Sequence, residues 1–350
     1  MKTVENLKRR YADFQALDAR DKKTFWKEFA LNNALYVLII IAIIYTAIQN
    51  PNFVTPSSIV NIISLSAANI PIAVGIAGCI VLTGTDLSAG RMVGLSACLA
   101  GTLLQKADYS GKFFPNMPFY GVWWVAAVLL ICVAVCAIFG AINGIVVSYL
   151  QVPAFIGTLG MQLIVYGVCL VYTNATPIGG YRAAYTEVAK GQLFGFIPYL
   201  FLIALAVGIV MWFVYNKMPH GKYMYAIGGN EQAAEVSGVN TKKTKIIIYI
   251  TAAACYALGG FLVGAKSGGS SVNMGYGWEL EAIAACTIGG VSVNGGIGRI
   301  SGVLIGVLVF EILKTCLQYL GVDTNYQYIA QGIVIVVAIA LDIRKYIAKK

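Results

Sequence analysis

Long apolar runs, separated by short polar or glycine-bearing turns, make up most of this 350-residue chain. Runs of about 20 apolar residues have the length that an α-helix needs to cross the hydrocarbon core of a bilayer. They do not alternate polar and apolar residues as the strands of a membrane β-barrel would. The pattern therefore predicts an all-α, polytopic membrane protein with about ten transmembrane helices. Their approximate ranges are 34–48, 58–82, 88–104, 121–149, 154–173, 195–215, 246–265, 279–291, 300–319 and 326–343.

The chain divides into a polar tail, residues 1–33, and a single transmembrane domain, residues 34–350. The charged part of the tail is longer than that of a signal peptide. It forms either a helix on the membrane surface or a loosely ordered arm. Within the domain, the segment 279–291 is short and bounded by glycine, which favours a half-helix or a re-entrant segment.

The longest polar interruption of the domain is residues 216–245. Its middle carries the signals of a short surface helix: Asn230 as N-cap, Glu231 in the first turn, and Gly238 as the left-handed residue that ends it. About two turns of helix are unstable alone in water. We therefore expect this helix to dock on another surface, with a solvated loop as the alternative.

Positive charge predicts the orientation. The net charge of +10 comes with only 11% charged residues, and 59% of the chain is hydrophobic. An even number of crossings places both termini on one side. That side, with the 216–245 loop and short loops holding Arg91 and Arg299, carries nineteen of the 25 basic residues, and the other side carries six. Basic loops stay in the cytoplasm, so both termini and the loop are predicted to be cytoplasmic. We attribute the net positive charge to the orientation of the chain in the membrane, and we expect no nucleic-acid partner.

The residues that usually carry catalysis or cofactor binding are nearly missing from the sequence. There is no phosphate-binding GxxxxGK[ST] loop, so ATP hydrolysis by that route is excluded. His220 is the only histidine, and none of the eight cysteines forms a CxxC pair. We therefore expect no catalytic residues, no metal and no cofactor, and a transport component rather than an enzyme.

Polar residues inside membrane segments are costly in lipid and usually face a pathway or another helix. Most of those here are uncharged, which suits a neutral, hydroxyl-rich solute, although interhelical hydrogen bonding would explain them equally well. Glu311 and Lys314 are three residues apart, so we expect them to form a structural pair on one helix. The predicted pathway residues are Asn61, Ser64, Asn69, Asp86, Ser88 and Asn143.

A short internal echo relates residues 90–94 (GRMVG) to residues 298–302 (GRISG). Each copy follows a polar, glycine-bearing turn and opens an apolar segment. The pattern is typical of duplicated helical units in transporters, and equally of an arginine that anchors a helix start at the membrane surface.

Three long stretches resemble the monosaccharide permeases of the ATP-binding-cassette (ABC) importer superfamily. They are LTGTDLSAGRMVGLSA at 82–97, IGGNEQAAEVSGVN at 227–240 and ELEAIAACTIGGVSVNGGIGRISGVLIG at 279–306. The similarity runs over nearly the whole chain after the tail, which is longer than expected for the family. Three shorter stretches resemble the family members that carry galactose and methyl-galactoside. They are GTDLSAGR at 84–91, FFPNMP at 113–118 and YQYIAQG at 326–332.

The resemblance implies the type II ABC importer permease fold, in the inner membrane. It implies a homodimer with the pathway between two copies, a separate ATP-binding subunit on the cytoplasmic side, and an extracytoplasmic sugar-binding protein. The short helix would be the segment that couples to the ATP-binding subunit, with small side chains in a groove of that partner. The coupling residues would be Gly229, Asn230, Glu231, Ala233, Ala234, Ser237 and Gly238.

Other interpretations of the sequence stay open. The solute of such a permease would alternatively be ribose, xylose or another small molecule. A secondary transporter would need an ion-coupling site, for which Asp86 and Glu279 are the candidates. An integral membrane enzyme would need a catalytic constellation, and a channel would need a selectivity ring formed by several chains.

Overall fold

The computed structural model describes residues 34–117 and 121–347, so the predicted tail lies outside the described residues. This part of the chain holds thirteen helices and one two-stranded hairpin. The helices are α1 (Ala34–Gln49), α2 (Pro56–Val81), α3 (Ala89–Leu103), α4 (Val122–Ser148), α5 (Ala154–Thr173), α6 (Ala183–Lys190), α7 (Tyr199–Lys217), α8 (Pro219–Gly229), α9 (Glu231–Val236), α10 (Thr241–Ser267), α11 (Trp278–Ile288), α12 (Ile300–Tyr319) and α13 (Thr324–Ile347). The hairpin pairs β1 (Gln192–Leu193) with β2 (Ile197–Pro198) in antiparallel register.

Each of the ten apolar segments predicted from the sequence is a helix, so the all-α prediction is confirmed. Seven of these helices, α2, α4, α5, α7, α10, α12 and α13, are long and apolar enough to cross a membrane. Helices α1 and α3 are apolar but shorter, and α11 is shorter still. The sequence missed α6, the hairpin and the separate helix α8 at the start of the polar loop.

The start of α7 was placed four residues too early, because Phe194 and Gly195 take left-handed backbone conformations and form the turn of the hairpin. The helix begins only after Pro198, which is its N-cap residue and the last residue of β2.

The helices run between two ends of the molecule. At one end, called here the α9 end, the N–H of Gly296 donates to the carbonyl of Val81 at the close of α2 (2.9 Å). At the opposite end, the amide of Asn50 donates to the carbonyl of Tyr319 (3.1 Å) and the N–H of Arg182 to that of Leu104 (3.0 Å). Successive long helices alternate in direction between these ends.

Helices α3 and α11 span only part of that distance. With 11 residues, α11 is about 16 Å long, about half of a hydrocarbon core of roughly 30 Å. The chain between α10 and α11 runs back along α3, so that the carbonyls of Met274 and Gly275 lie against Gly94 and Gly90. A side chain at either of these α3 glycines would clash. This non-helical backbone packs along α3 on one side, and on its other side Asn273 and Tyr276 are exposed. Non-helical backbone at membrane depth is found where it lies against protein or lines a water-filled cavity.

Helix α10 is the centre of the bundle and packs against α2, α3 and α4. Its close approach depends on small residues. Gly140 of α4 lies against Ala253, and Gly260 lies against the carbonyl of Val93. Small residues let helices pack tightly where lipid provides no hydrophobic force to join them.

All eight cysteines are free and buried, mostly inside helices that the sequence identified as apolar. They behave as small apolar side chains that fill the spaces between helices.

Candidate functional site

Helix α9 forms as its capping pattern predicts. The side chain of Asn230 accepts a hydrogen bond from the N–H of Ala233 (2.9 Å). Gly238 follows the helix with φ at 84°, and the N–H of Val239 donates to the carbonyl of Ala234 (3.1 Å). One side-chain cap and one left-handed glycine thus satisfy the ends of a helix of only six residues.

The outward face of α9 differs from the expected one. Ala234 is only 5% exposed and packs against its own chain, contrary to the prediction that its small side chain meets a partner. Val236 is 90% exposed and is the large apolar side chain that α9 presents outward. Val236 was not among the predicted coupling residues. Of those that were, the exposed ones are Gly229, Asn230, Ala233, Ser237 and Gly238.

Glu231, expected to meet basic groups of a partner, is paired within the chain. Its two carboxylate oxygens lie 2.6 and 2.8 Å from Nζ of Lys245, in the second turn of α10. The pair is partly exposed, so it adds at most about 1 kcal/mol to stability. Its effect is to tie α9 to α10, while Glu235 stays exposed.

A recess of about 660 Å³ opens beside α9. One wall is α9 and the start of α10, and the other is formed by two turns, 82–84 after α2 and 151–154 before α5. Its lining includes the charged side chains of Glu231, Glu235, Lys242 and Lys245. The volume falls in the range of protein sites that accept a ligand or a partner segment.

Backbone contacts join α8 to α2 at the floor of this end. Gly228 lies directly against the carbonyl of Val81, and the hydroxyl of Tyr225 donates to the carbonyl of Gly298 (3.1 Å). Together with the Gly296 hydrogen bond, these contacts form the Gly228 junction. Helix α8 is therefore in direct contact with the end of α2 and with the turn before α12.

Three of the six predicted pathway residues meet in one buried cluster. Oδ1 of Asp86 accepts hydrogen bonds from the N–H (3.0 Å) and the hydroxyl (2.6 Å) of Ser88. The amide of Asn143 donates to the same hydroxyl (2.9 Å). All three are at most 1% exposed. The cluster joins the turn before α3 to the last turns of α4.

Thr158 of α5, which no sequence pattern indicated, makes hydrogen bonds to the same turn from the other side. Its hydroxyl accepts from the N–H of Leu87 (3.0 Å) and lies 3.0 Å from the carbonyl of Thr85. A threonine inside an apolar helix commonly bonds its own helix, so the sequence carried no signal for this contact.

The other three predicted pathway residues lie elsewhere on α2. Asn61 is exposed, and the hydroxyl of Ser64 donates to the Val60 carbonyl of its own helix (2.8 Å). The amide of Asn69 donates to the carboxylate of Glu311 on α12 (3.2 Å). The structure thus does not bring these residues to the Asp86 cluster.

Around Glu311 lies a group of charges that joins two helices, α11 and α12. Lys314 is 4.0 Å from Glu311, as the sequence spacing predicted, but it is closer to Glu281 of α11, at 2.8 Å. Such pairing is the usual state of charges between transmembrane helices.

Arg91 lies at depth, so its assignment to a short cytoplasmic loop is wrong. Its guanidinium carbon is 4.1 Å from the ring centre of Tyr166 and 4.8 Å from that of Tyr276, and Nη1 donates to the carbonyl of Val272 (3.1 Å). Tyr166 is in the middle part of α5. Arg299, which matches Arg91 in the short sequence similarity, is exposed at the α9 end. Arg91 and Arg299 therefore do not occupy equivalent places in the fold.

Glu279 is next to this arginine cluster and was also not predicted as a pathway residue. It is 4% exposed, lies against Gly90, and its Oε1 accepts from the amide of Gln162 (3.4 Å). Arg91, Gln162, Tyr166, Tyr276 and Glu279 come from distant parts of the chain, and we call them the Arg91 cluster.

Comparison with known proteins identifies the family. Residues 58–339 match the family described as the permease component of the branched-chain amino acid transport system. The chain belongs to this permease family. The galactose/methyl galactoside import permease MglC of Escherichia coli is 41% identical to it over 340 residues, covering 95% of this chain and all of that protein.

Two further relatives are similar to the permease over most of its length. MglC of Salmonella typhimurium is 40% identical over 345 residues, covering 95% of the permease and 100% of the relative. The ribose import permease RbsC of Escherichia coli is 33% identical over 332 residues, covering 93% and 97%. No solved structure matches the permease. Among its described residues, no group of three or more His, Cys, Asp and Glu is arranged to hold a metal ion. The permease is a transport component and not an enzyme.

Proposed function

We propose that this chain is the membrane subunit of an ATP-driven ABC importer that carries galactose or methyl-galactoside across the inner membrane. Two copies enclose the pathway. A separate ATP-binding subunit docks at the α9 end, and an extracytoplasmic sugar-binding protein delivers the sugar at the opposite end. The relatives named for galactose import support galactose over ribose, because their identity to this chain is higher.

The observation that carries this function is the outward face of α9. A helix of six residues, capped at both ends, presents Val236 almost fully exposed beside a charged recess. One exposed valine alone would be ordinary. The argument rests on its place beside a recess of about 660 Å³ lined by charged side chains, the size of site that accepts a ligand or a partner segment. Since the chain has no phosphate-binding loop, its energy comes from a partner, and α9 is where that partner would act.

In this proposal the α9 end is cytoplasmic, with both chain termini. Moving Arg91 and Lys314, which both lie inside helices, out of the loop count leaves eighteen basic residues on that side against five, which is still a strong bias. The exposed apolar side chains of α4, α5 and α7 would contact lipid or the second copy. The buried Asp86, Ser88 and Asn143 would hold the turn before α3 rather than touch the solute.

An uptake experiment tests the proposal. Cells without galactose uptake of their own would express the permease together with its ATP-binding subunit and its sugar-binding protein, and the accumulation of radiolabelled galactose would be measured. We expect accumulation that requires the ATP-binding subunit. Unlabelled methyl-galactoside should compete strongly, and ribose and xylose weakly.

Two results would contradict it. Accumulation without the ATP-binding subunit that stops when an ionophore dissipates the ion gradients would identify a secondary transporter. Strong competition by ribose or xylose, with little by methyl-galactoside, would change the substrate while keeping the ATP-driven mechanism.

A further inference from the structure

We propose that the Arg91 cluster is a sugar-contacting site in the middle of the translocation pathway. The proposal rests on the proposed function, and it adds residues that the sequence-based pathway prediction did not contain. Its members are Arg91 of α3, Gln162 and Tyr166 of α5, Tyr276 of the segment before α11, and Glu279 of α11.

The cluster lies at membrane depth. Tyr166, against which the guanidinium packs, is about 18 Å along α5 from Ala154 and about 10 Å from Thr173, at a rise of about 1.5 Å per residue. Helix α11 begins here, because the chain between α10 and α11 runs back along α3 and brings Gly275 and Glu279 against Gly90.

The cluster is also on the outer surface of the single chain. Tyr276 is 68% exposed, and Arg91, Gln162 and Tyr166 are partly exposed. A guanidinium facing hydrocarbon at this depth would cost several kcal/mol, so charged groups in membrane proteins face protein or water. This surface therefore faces the second copy across a water-containing space, which is the pathway of the proposed dimer.

The chemistry of the cluster suits a neutral sugar. The rings of Tyr166 and Tyr276 offer flat surfaces to the C–H face of a pyranose, and the guanidinium donates hydrogen bonds to hydroxyl oxygens. Glu279 lies behind the arginine: it is 4% exposed, and its Oε2 is packed against Gly90. Its place is that of a charge partner for Arg91 rather than of a group that meets the solute. One positive and one negative group balance, so no net charge selects an ion.

Local backbone geometry presents Tyr276 to the pathway. The glycines on both sides, Gly275 and Gly277, have φ at 80°, a conformation that other residues rarely adopt. Tyr276 thus sits at the tip of a tight turn, and its ring contacts little besides Arg91. A purely structural tyrosine would bury its ring, as Tyr185 and Tyr256 do.

The test uses Tyr276→Ala and Tyr276→Phe in the complete importer, with Tyr45→Ala as the matched control. Tyr45 lies on α1 and is 53% exposed. We expect Tyr276→Ala to lower the galactose uptake rate by about tenfold, the size of effect expected from one lost aromatic contact. Tyr276→Phe, which keeps the ring, should stay within about twofold of the wild type. Co-purification of the ATP-binding subunit should not change in any variant.

A second measurement detects contact directly. In Tyr276→Cys, reaction with a small water-soluble thiol reagent should slow when galactose is present and the importer is turning over. Lys112→Cys, at a partly exposed position in the loop after α3, should react at a rate that galactose does not affect. Wild-type uptake of Tyr276→Ala, together with no galactose effect on Tyr276→Cys, would overturn the site while leaving the importer intact. Failure of the wild type itself to accumulate galactose would instead overturn the proposed function.

Discussion

At Asp86, one carboxylate oxygen accepts hydrogen bonds from the N–H and the hydroxyl of Ser88, directly before α3. The carboxyl group is fully buried, three residues before the first residue of α3. Asn143 completes the arrangement by donating to Ser88 from α4. This side chain therefore determines where a helix begins inside the bundle.

Replacing Asp86 by alanine would leave the start of α3 without its acceptor, and an unmade buried hydrogen bond costs about 1–3 kcal/mol. We expect Asp86→Ala to unfold at a lower temperature in detergent, and Asp86→Asn, which keeps one acceptor oxygen, to lose less. The exposed Asp108→Ala is the control. Equal unfolding temperatures for Asp86→Ala and Asp108→Ala would show that the cluster does not stabilise the fold.

At the scale of the element, α9 combines a fixed inner face with a free outer one. Ala234 packs inward, the Glu231–Lys245 pair ties the helix to α10, and Val236 points away from the chain. A bulky charge at Ala234 would disturb the chain's own packing, so it would not test docking. The side chain to change is Val236.

Val236→Asp places a charge in the proposed contact without removing any packing inside the chain. We expect co-purification of the ATP-binding subunit to fall by about tenfold, with normal amounts of the permease in the membrane. Phe194→Asp is the matched control: it is 80% exposed at the opposite end, in a left-handed conformation that aspartate tolerates. An equal yield of ATP-binding subunit from both variants would remove α9 from the interface.

For the whole molecule, ten helices of alternating direction place the α9 end and the loop after α3 on opposite faces. Single cysteines introduced as Gly229→Cys and Lys112→Cys, at an exposed and a partly exposed position, report the two sides. We expect a membrane-impermeant thiol reagent to label Lys112→Cys in intact cells, and Gly229→Cys only in inverted vesicles. The wild type should label weakly in both, because its own thiols are buried. Labelling of both positions from one side would contradict the arrangement.

The sequence predicts the helices well because the bilayer imposes their length and apolarity. The cap at Asn230 is equally predictable, since it depends on neighbours three residues away. The depth of Arg91 was not predictable, because hydropathy treats a polar turn as lying outside even when the chain folds back. The inner face of α9 was missed since six residues have too little periodicity to mark a face. The Arg91 cluster joins residues 91, 166 and 276, which no local pattern relates.

The shortness of α11 has a consequence for how the chain enters the membrane. Eleven residues with two glutamates are too short and too polar to partition into lipid alone. Part of what holds α11 at depth precedes it in the chain: the thiol of Cys286 donates to the carbonyl of Ala73 on α2 (3.1 Å). The rest follows it: Lys314 of α12 pairs with Glu281, and the turn after α11 packs against Gly302. Glu281 therefore gains its partner only after α12 has been synthesised, so the packing around α11 is completed from its C-terminal side.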